Sequence, residues 1–266
     1  MATSRAHLHL ATEAAARAGS SLRGAIDAHK GYYCAGAVAP DARERSEAAR
    51  EATHFFRFRE PATWGRATSQ LFAGHPDLSR LDGLPGAQVA YVAGYLTHLA
   101  VDEVFASVCG AYVGGGFRGA VKGLTFAIER SWGEESGAMR GVSEALELFE
   151  PGEINTVVDT ALLLRLTPAI ASAGDVESPA HLIHLLAHAA GSDIGVAEAE
   201  RRVADHIATG EALFGDDIAD GFASRAGDEI DRRLHAYERG KAARYDSPSL
   251  RAATANESST SGETRA

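Results

Sequence analysis

At 266 residues, with 45% hydrophobic and 23% charged residues, the chain can bury a large core and has the balance of a soluble globular protein. A formal net charge of −10 argues against a nonspecific grip on a nucleic-acid duplex, while leaving room for a small anionic substrate held by a few local arginines. Two cysteines, Cys34 and Cys109, are too few for a disulfide framework, and both lie in apolar helical contexts that suit buried free thiols.

In chain order, the N-terminus lacks the continuous apolar core of a secretory signal, so the expected compartment is the cytoplasm. Ala6 to Ala18 is Ala-rich and closes at Gly19, as a short helix should. Leu22 to Val38 reads as a second helix, ended by Ala39-Pro40-Asp41, because the residue before a proline is pushed out of the helical region. Asp41 to Arg50 is highly charged and reads as a solvated turn or short surface helix. Thr53-His54-Phe55-Phe56 brings aromatics back, and Trp64 to Ala73 is helical in pattern.

Pro85 to Val113 is the stretch around which the rest is organised. As a helix it would run roughly 42 Å, enough to cross the middle of a domain. It is apolar on every side, which predicts a helix buried on every side. Two adjacent acids, a histidine, scattered glycines and the lack of basic flanks argue against a membrane span. Beyond it, Gly114 to Gly119 has the letters of a dinucleotide fingerprint, but it follows a helix and no strand, and is read as a connecting loop. Helical periodicity then recurs over Leu124–Arg130, Val142–Phe149, Ile154–Leu166, Pro179–Ala190, Ile194–Leu213 and Ile218–Glu238. No segment alternates like a strand, so the expected fold is all-α. One multi-helix domain over residues 1–246, built around the central helix, is expected to precede a small, polar, disordered tail from 247 to 266. The Ala-rich helical surface leaves room for a homo-oligomer face.

The chemistry concentrates at few positions. His98 and Asp102 are one helical turn apart and share a face within the apolar stretch. A carboxylate there is costly unless paired or bound to a metal. Asp41 after Ala-Pro, His54 after Thr53, and His7 or His9 near the start supply the other donors. Imidazole nitrogen and carboxylate oxygen together suit a borderline ion such as zinc. Taken singly, each has a plainer role: Asp41 as a cap, His54 among phenylalanines, His98 as a hydrogen-bonded core histidine. Arg57 and Arg59 could meet an anion or form a solvated face, and Glu51 could orient His54 or be charged surface. Tyr91, Tyr95 and Phe105 read as core.

HLHLA near the start, then YYCAGAVAPD, THFF and AYVAGYLTHLAVDEVF, resemble the zinc-dependent phospholipase C family, whose fold is shared by the S1/P1 nucleases. The resemblance covers about residues 5–110. It implies an all-helical fold, a zinc cluster and a phosphodiester substrate. It also implies His7, rather than His9, with Asp41, His54, His98 and Asp102 as the metal shell, Asp41 being either a ligand or the base that orients the attacking water. The family's further histidine after the central aspartate is absent here, as is its later histidine followed four residues on by glutamate. HLIHLLAH offers His184 and His188, with His181 one turn earlier, as a substitute pair for a second ion. One zinc ion is therefore expected, with a second allowed.

The expected function is metal-dependent hydrolysis of a phosphoester by a metal-activated water. Two alternatives stay open: the same scaffold in a metal-dependent non-hydrolytic reaction such as cyclisation or elimination, and a non-catalytic helical protein stapled by an ion.

Overall fold

The computed structural model describes residues 4–43, 46–110, 123–125, 136–174, 194–213 and 216–251. Its centre is α6 (Gly86–Gly110), in which nearly every side chain from Val89 to Cys109 is shielded from solvent. By length and composition Gly86–Cys109 could cross a membrane, yet that whole window is buried inside the domain, as a core helix requires. Around it lie α1 (Ser4–Arg17), α2 (Ser20–Ala28), α3 (Lys30–Val38), α4 (Glu47–His54), α5 (Ala67–Gly74), α7 (Ser136–Glu147), α8 (Thr160–Gly174), α9 (Val196–Leu213) and α10 (Asp216–Glu238). Among the described residues there is no strand. The protein is all-α, one domain on a buried central helix. One core runs through it, and α9 adds a small separate cluster of Ala199 and Val203.

The principal neighbours of α6 are α3 and α10. Against α3 the approach is backbone to backbone. A Cβ at Gly94 would lie 2.0 Å from the carbonyl oxygen of Tyr33, and one at Gly36 would lie 2.0 Å from that of Tyr91. Real Cβ atoms do not come so close, so two glycines, one from each helix, set this crossing. Against α10 the contact is aromatic and ionic: Phe222 meets Phe105 edge-on at 5.8 Å, and Arg233 reaches Glu103.

The expected helix from Leu22 to Val38 is two helices. His29 (φ −131°, ψ 46°) interrupts them, its N–H donating back to Ala25 and Ile26. The expected helix start at Ile154 moves to Thr160, since Ile154 is extended and Val157 has φ 63°, outside the helical region. The charged segment before His54 is also more than solvated surface. Ser46 caps α4, its Oγ accepting from Ala49 N–H at 3.1 Å, and Arg50, Thr53 and His54 all turn inward.

The tail needs correction at its start. Ser247 is fully buried: its N–H donates to Gly65 O at 2.9 Å, and its hydroxyl donates to Glu229 Oε2 at 2.9 Å. Leu250 is buried as well, while 252–266 lie outside the described residues. Glu229 also receives Arg233 Nε at 2.9 Å and Tyr245 OH at 3.1 Å. Glu103, on the other side of Arg233, accepts from the N–H groups of Gly65 and Ala67 at 2.7 and 3.2 Å. The buried acid beside Asp102 thus clasps α10 and the C-terminal segment onto α6. Truncation after Asp246 is expected to cost about 2–4 kcal/mol, from one buried leucine and the buried hydrogen bonds of Ser247. Urea unfolding of that variant beside one ending at Arg251 checks this, and equal midpoints would show the segment to be dispensable.

Candidate metal centre

Three elements converge on one face of α6. His7 comes from α1 and Asp41 from the 3-10 turn Ala39–Asp41. His54 comes from the last turn of α4, and His98 and Asp102 from α6 itself. All five residues expected from the sequence meet here. His7, His54, His98 and Asp102 are at most 1% exposed. Only Asp41 touches solvent, with its side chain 17% accessible. His9 stays out of the cluster, 3.4 Å from Glu13 on its own helix. His184 and His188, with His181, lie outside the described residues, as does Gly114 to Gly119.

The imidazole tautomers follow from their partners. His98 Nδ1 is 2.8 Å from Ala37 O, a carbonyl that can only accept, so Nδ1 carries the hydrogen and Nε2 a lone pair. The tight α3–α6 crossing brings that carbonyl within reach. His54 Nδ1 is 3.0 Å from Thr53 Oγ1, whose own hydrogen goes to Pro40 O at 2.8 Å. The hydroxyl therefore accepts from Nδ1, which leaves Nε2 of a neutral His54 as a lone pair. Those two Nε2 atoms face each other at 3.4 Å. His54 Nε2 lies 3.2 Å from Asp102 Oδ2 and 3.5 Å from Asp41 Oδ1, and His98 Nε2 lies 3.9 Å from Asp102 Oδ2. His7 stacks on His98 with ring centroids 3.7 Å apart and planes 8° from parallel, and its Nε2 is 3.5 Å from Asp102 Oδ1. Both His7 nitrogens, Asp41 Oδ1 and Asp102 Oδ1 are buried without a hydrogen bond.

Acceptors facing acceptors need protons or a metal ion between them. Burial pushes His98 down to about 3, with His7 adding to the effect, so this imidazole is neutral over the working range. Burial would raise the Asp102 carboxyl, but with no metal bound, N–H groups of His54 and His7 turned toward it override burial and hold the group well below the usual carboxylate range. Asp41 is likewise held low against its burial, chiefly by hydrogen bonding with His54. Two carboxylates and a neutral imidazole are the donor set a divalent ion needs. The residues present fit such an ion: His54, His98 and Asp102 form one compact group of possible ligands, and His7, Asp41 and His98 form another. In a tetrahedral zinc site with bonds of about 2.0–2.1 Å, neighbouring ligand atoms stand roughly 3.3–3.4 Å apart. The separations of 3.2–3.9 Å observed here bracket that edge. The outer hydrogen bonds from His98 to a carbonyl and from His54 to a hydroxyl are those that orient metal-bound imidazoles.

Sequence reasoning missed Arg50. It is 4% exposed, and its Nη2 donates to Asp102 Oδ2 at 3.0 Å. The signal that could have found it is helical spacing: with His54 turned inward, the residue four earlier lies on the same face. Glu51, considered for orienting His54, instead pairs with Arg57 at 2.6 Å on the surface, and Arg57 also meets Glu60 at 2.9 Å. Tyr91 and Tyr95 are core: both are fully buried, their hydroxyls donating to Thr156 O and to Thr53 O respectively, and Phe105 is buried with them. The two cysteines are buried free thiols.

Comparison with protein-family models, curated proteins and solved structures finds no match to the chain.

Proposed function

We propose that this cluster binds a divalent ion, with zinc the best fit to its donors, and that the protein hydrolyses a phosphoester. The observation that carries the metal is the close approach of the His54 and His98 Nε2 atoms to each other and to carboxylate oxygens of Asp102 and Asp41. The hydrolytic reading rests on the resemblance of His7, Asp41, His54, His98 and Asp102, in their order, to the zinc-dependent phospholipase C pattern. A bound zinc ion would supply Lewis acidity and lower the pKa of a coordinated water. His54, His98 and Asp102 would hold the ion, with His7 stacked on His98 to complete the shell. Asp41 is the one member that reaches solvent, so a substrate arriving from outside meets it first. Its depressed pKa makes it a poor proton store and a good fixed acceptor, suited to ligating the ion or orienting a water.

A second reading, a non-catalytic ion staple, is favoured by how little of the cluster is exposed. Turnover separates the two. Zinc-loaded protein is expected to cleave a chromogenic phosphodiester, with activity abolished by a chelator and by His54→Ala. Full zinc occupancy without turnover of phosphodiesters or phosphomonoesters would leave the staple.

A further inference from the structure

Arg50 is an unusual neighbour for a cation site. Its side chain is 5% exposed, and its Nη1 donates to Phe56 O at 3.3 Å beside the Nη2 bond to Asp102. The guanidinium carbon stands 4.7 Å from the Phe56 ring centre and 5.4 Å from that of Phe58, so two aromatic faces hold it in place. Any divalent ion bound by Asp102 would have this fixed positive charge close by. Attraction to Asp102 keeps the arginine there, and repulsion opposes the ion.

We propose that Arg50 is a resident counter-ion: it neutralises Asp102 when no metal is bound, so that the centre stays folded while empty and its ion is exchangeable. The inference rests on the metal-binding reading above. Without Arg50, the buried Asp102 and the largely shielded Asp41 would keep only the histidines and the more distant Arg43 to balance them when no ion is bound. Stability would then depend in large part on that ion, as it does to the full extent in small domains whose metal site forms only with the metal. With Arg50 in place, metal-free folding is retained at the expense of affinity. Arg50 is thereby a positioning and tuning residue, not a ligand.

The test compares wild type, Arg50→Met and Arg50→Lys by thermal unfolding with and without zinc, and by zinc affinity in competition with a chromophoric chelator. Methionine keeps an apolar stem between the two rings and removes the charge. Metal-free Arg50→Met is expected to melt roughly 6–20 °C below wild type, since breaking a buried pair strands the remaining charge. Saturating zinc should restore most of that loss, because a ligand of the native state alone stabilises it. Zinc should bind Arg50→Met about tenfold or more tightly than wild type, the sign expected when a nearby like charge is removed. Arg50→Lys should stay near wild type in both. If Arg50→Met folds only with zinc, the proposal stands in its strongest form. Zinc affinity equal to or weaker than wild type, or failure to fold even with zinc, would overturn it. A wild type that binds no zinc would remove the underlying metal reading, and the proposal with it.

Discussion

Asp102→Ala is expected to destabilise the metal-free protein by about 3–5 kcal/mol, because it strands the Arg50 guanidinium, to which no other carboxylate among the described residues is bonded. Asp102 accepts from Arg50 at 3.0 Å, and both side chains are at most 5% exposed, so water cannot replace the lost partner. Asp102→Asn keeps a carbonyl acceptor for Arg50 and should cost less, on the order of 1.5–3 kcal/mol for a bond to a charged group. The pair should also be strongly non-additive. In Asp102→Ala/Arg50→Met the stranded charge is gone, so the double variant should be more stable than the sum of the singles implies. Chemical denaturation of the four proteins completes that cycle. Additive losses would mean that Asp102 and Arg50 do not stabilise each other.

The second large effect is predicted at Gly94. An alanine Cβ there would meet Tyr33 O at 2.0 Å and Ala37 N at 2.8 Å, both backbone atoms of α3 that no rotamer change can move. The helices must separate, at a cost of about 3 kcal/mol, the upper end of the range for overpacking a core. For a domain of this size that lowers Tm by roughly 6–12 °C. Separation would also draw Ala37 O away from His98 Nδ1, loosening the hydrogen bond that orients the imidazole. Gly24 in α2 is the control: a Cβ there meets nothing within 4 Å, so Gly24→Ala should be stabilising by about 0.5–1 kcal/mol. Thermal melts of the two variants decide the matter. Equal Tm values would show that the α3–α6 crossing is not set by glycine.

How much of this was legible in the sequence depended on how local each signal was. The central helix and the His98/Asp102 pair were, because an apolar run interrupted by two donors one turn apart states its own burial. Asp41 and His54 were visible through their apolar and aromatic neighbours. Arg50 was not, since EAAREATH is charged enough to look solvated, and only the inward turn of His54 shows which face is buried. The partner of Glu103 was equally hidden: Arg233 lies 130 residues further on, and nothing in the α6 sequence points to it. Ser247 sits in a polar, small-residue run that reads as tail, yet it is held by Gly65 and by Glu229, contacts that exist only once the chain has folded. The break at His29 also belongs to tertiary structure. There α3 leaves the line of α2 to lie against α6 and, through Gly31, close to the Ala145 carbonyl on α7.

That His54, His98 and Asp102 form a metal centre is tested most directly by elemental analysis after dialysis against zinc and then against metal-free buffer. Wild type is expected to retain about one zinc per chain, and His98→Ala, with helical circular dichroism intact, to retain far less. Wild type that holds no zinc, or His98→Ala that holds as much as wild type, would contradict it and leave the cluster as an ion-paired core built on Arg50 and Asp102.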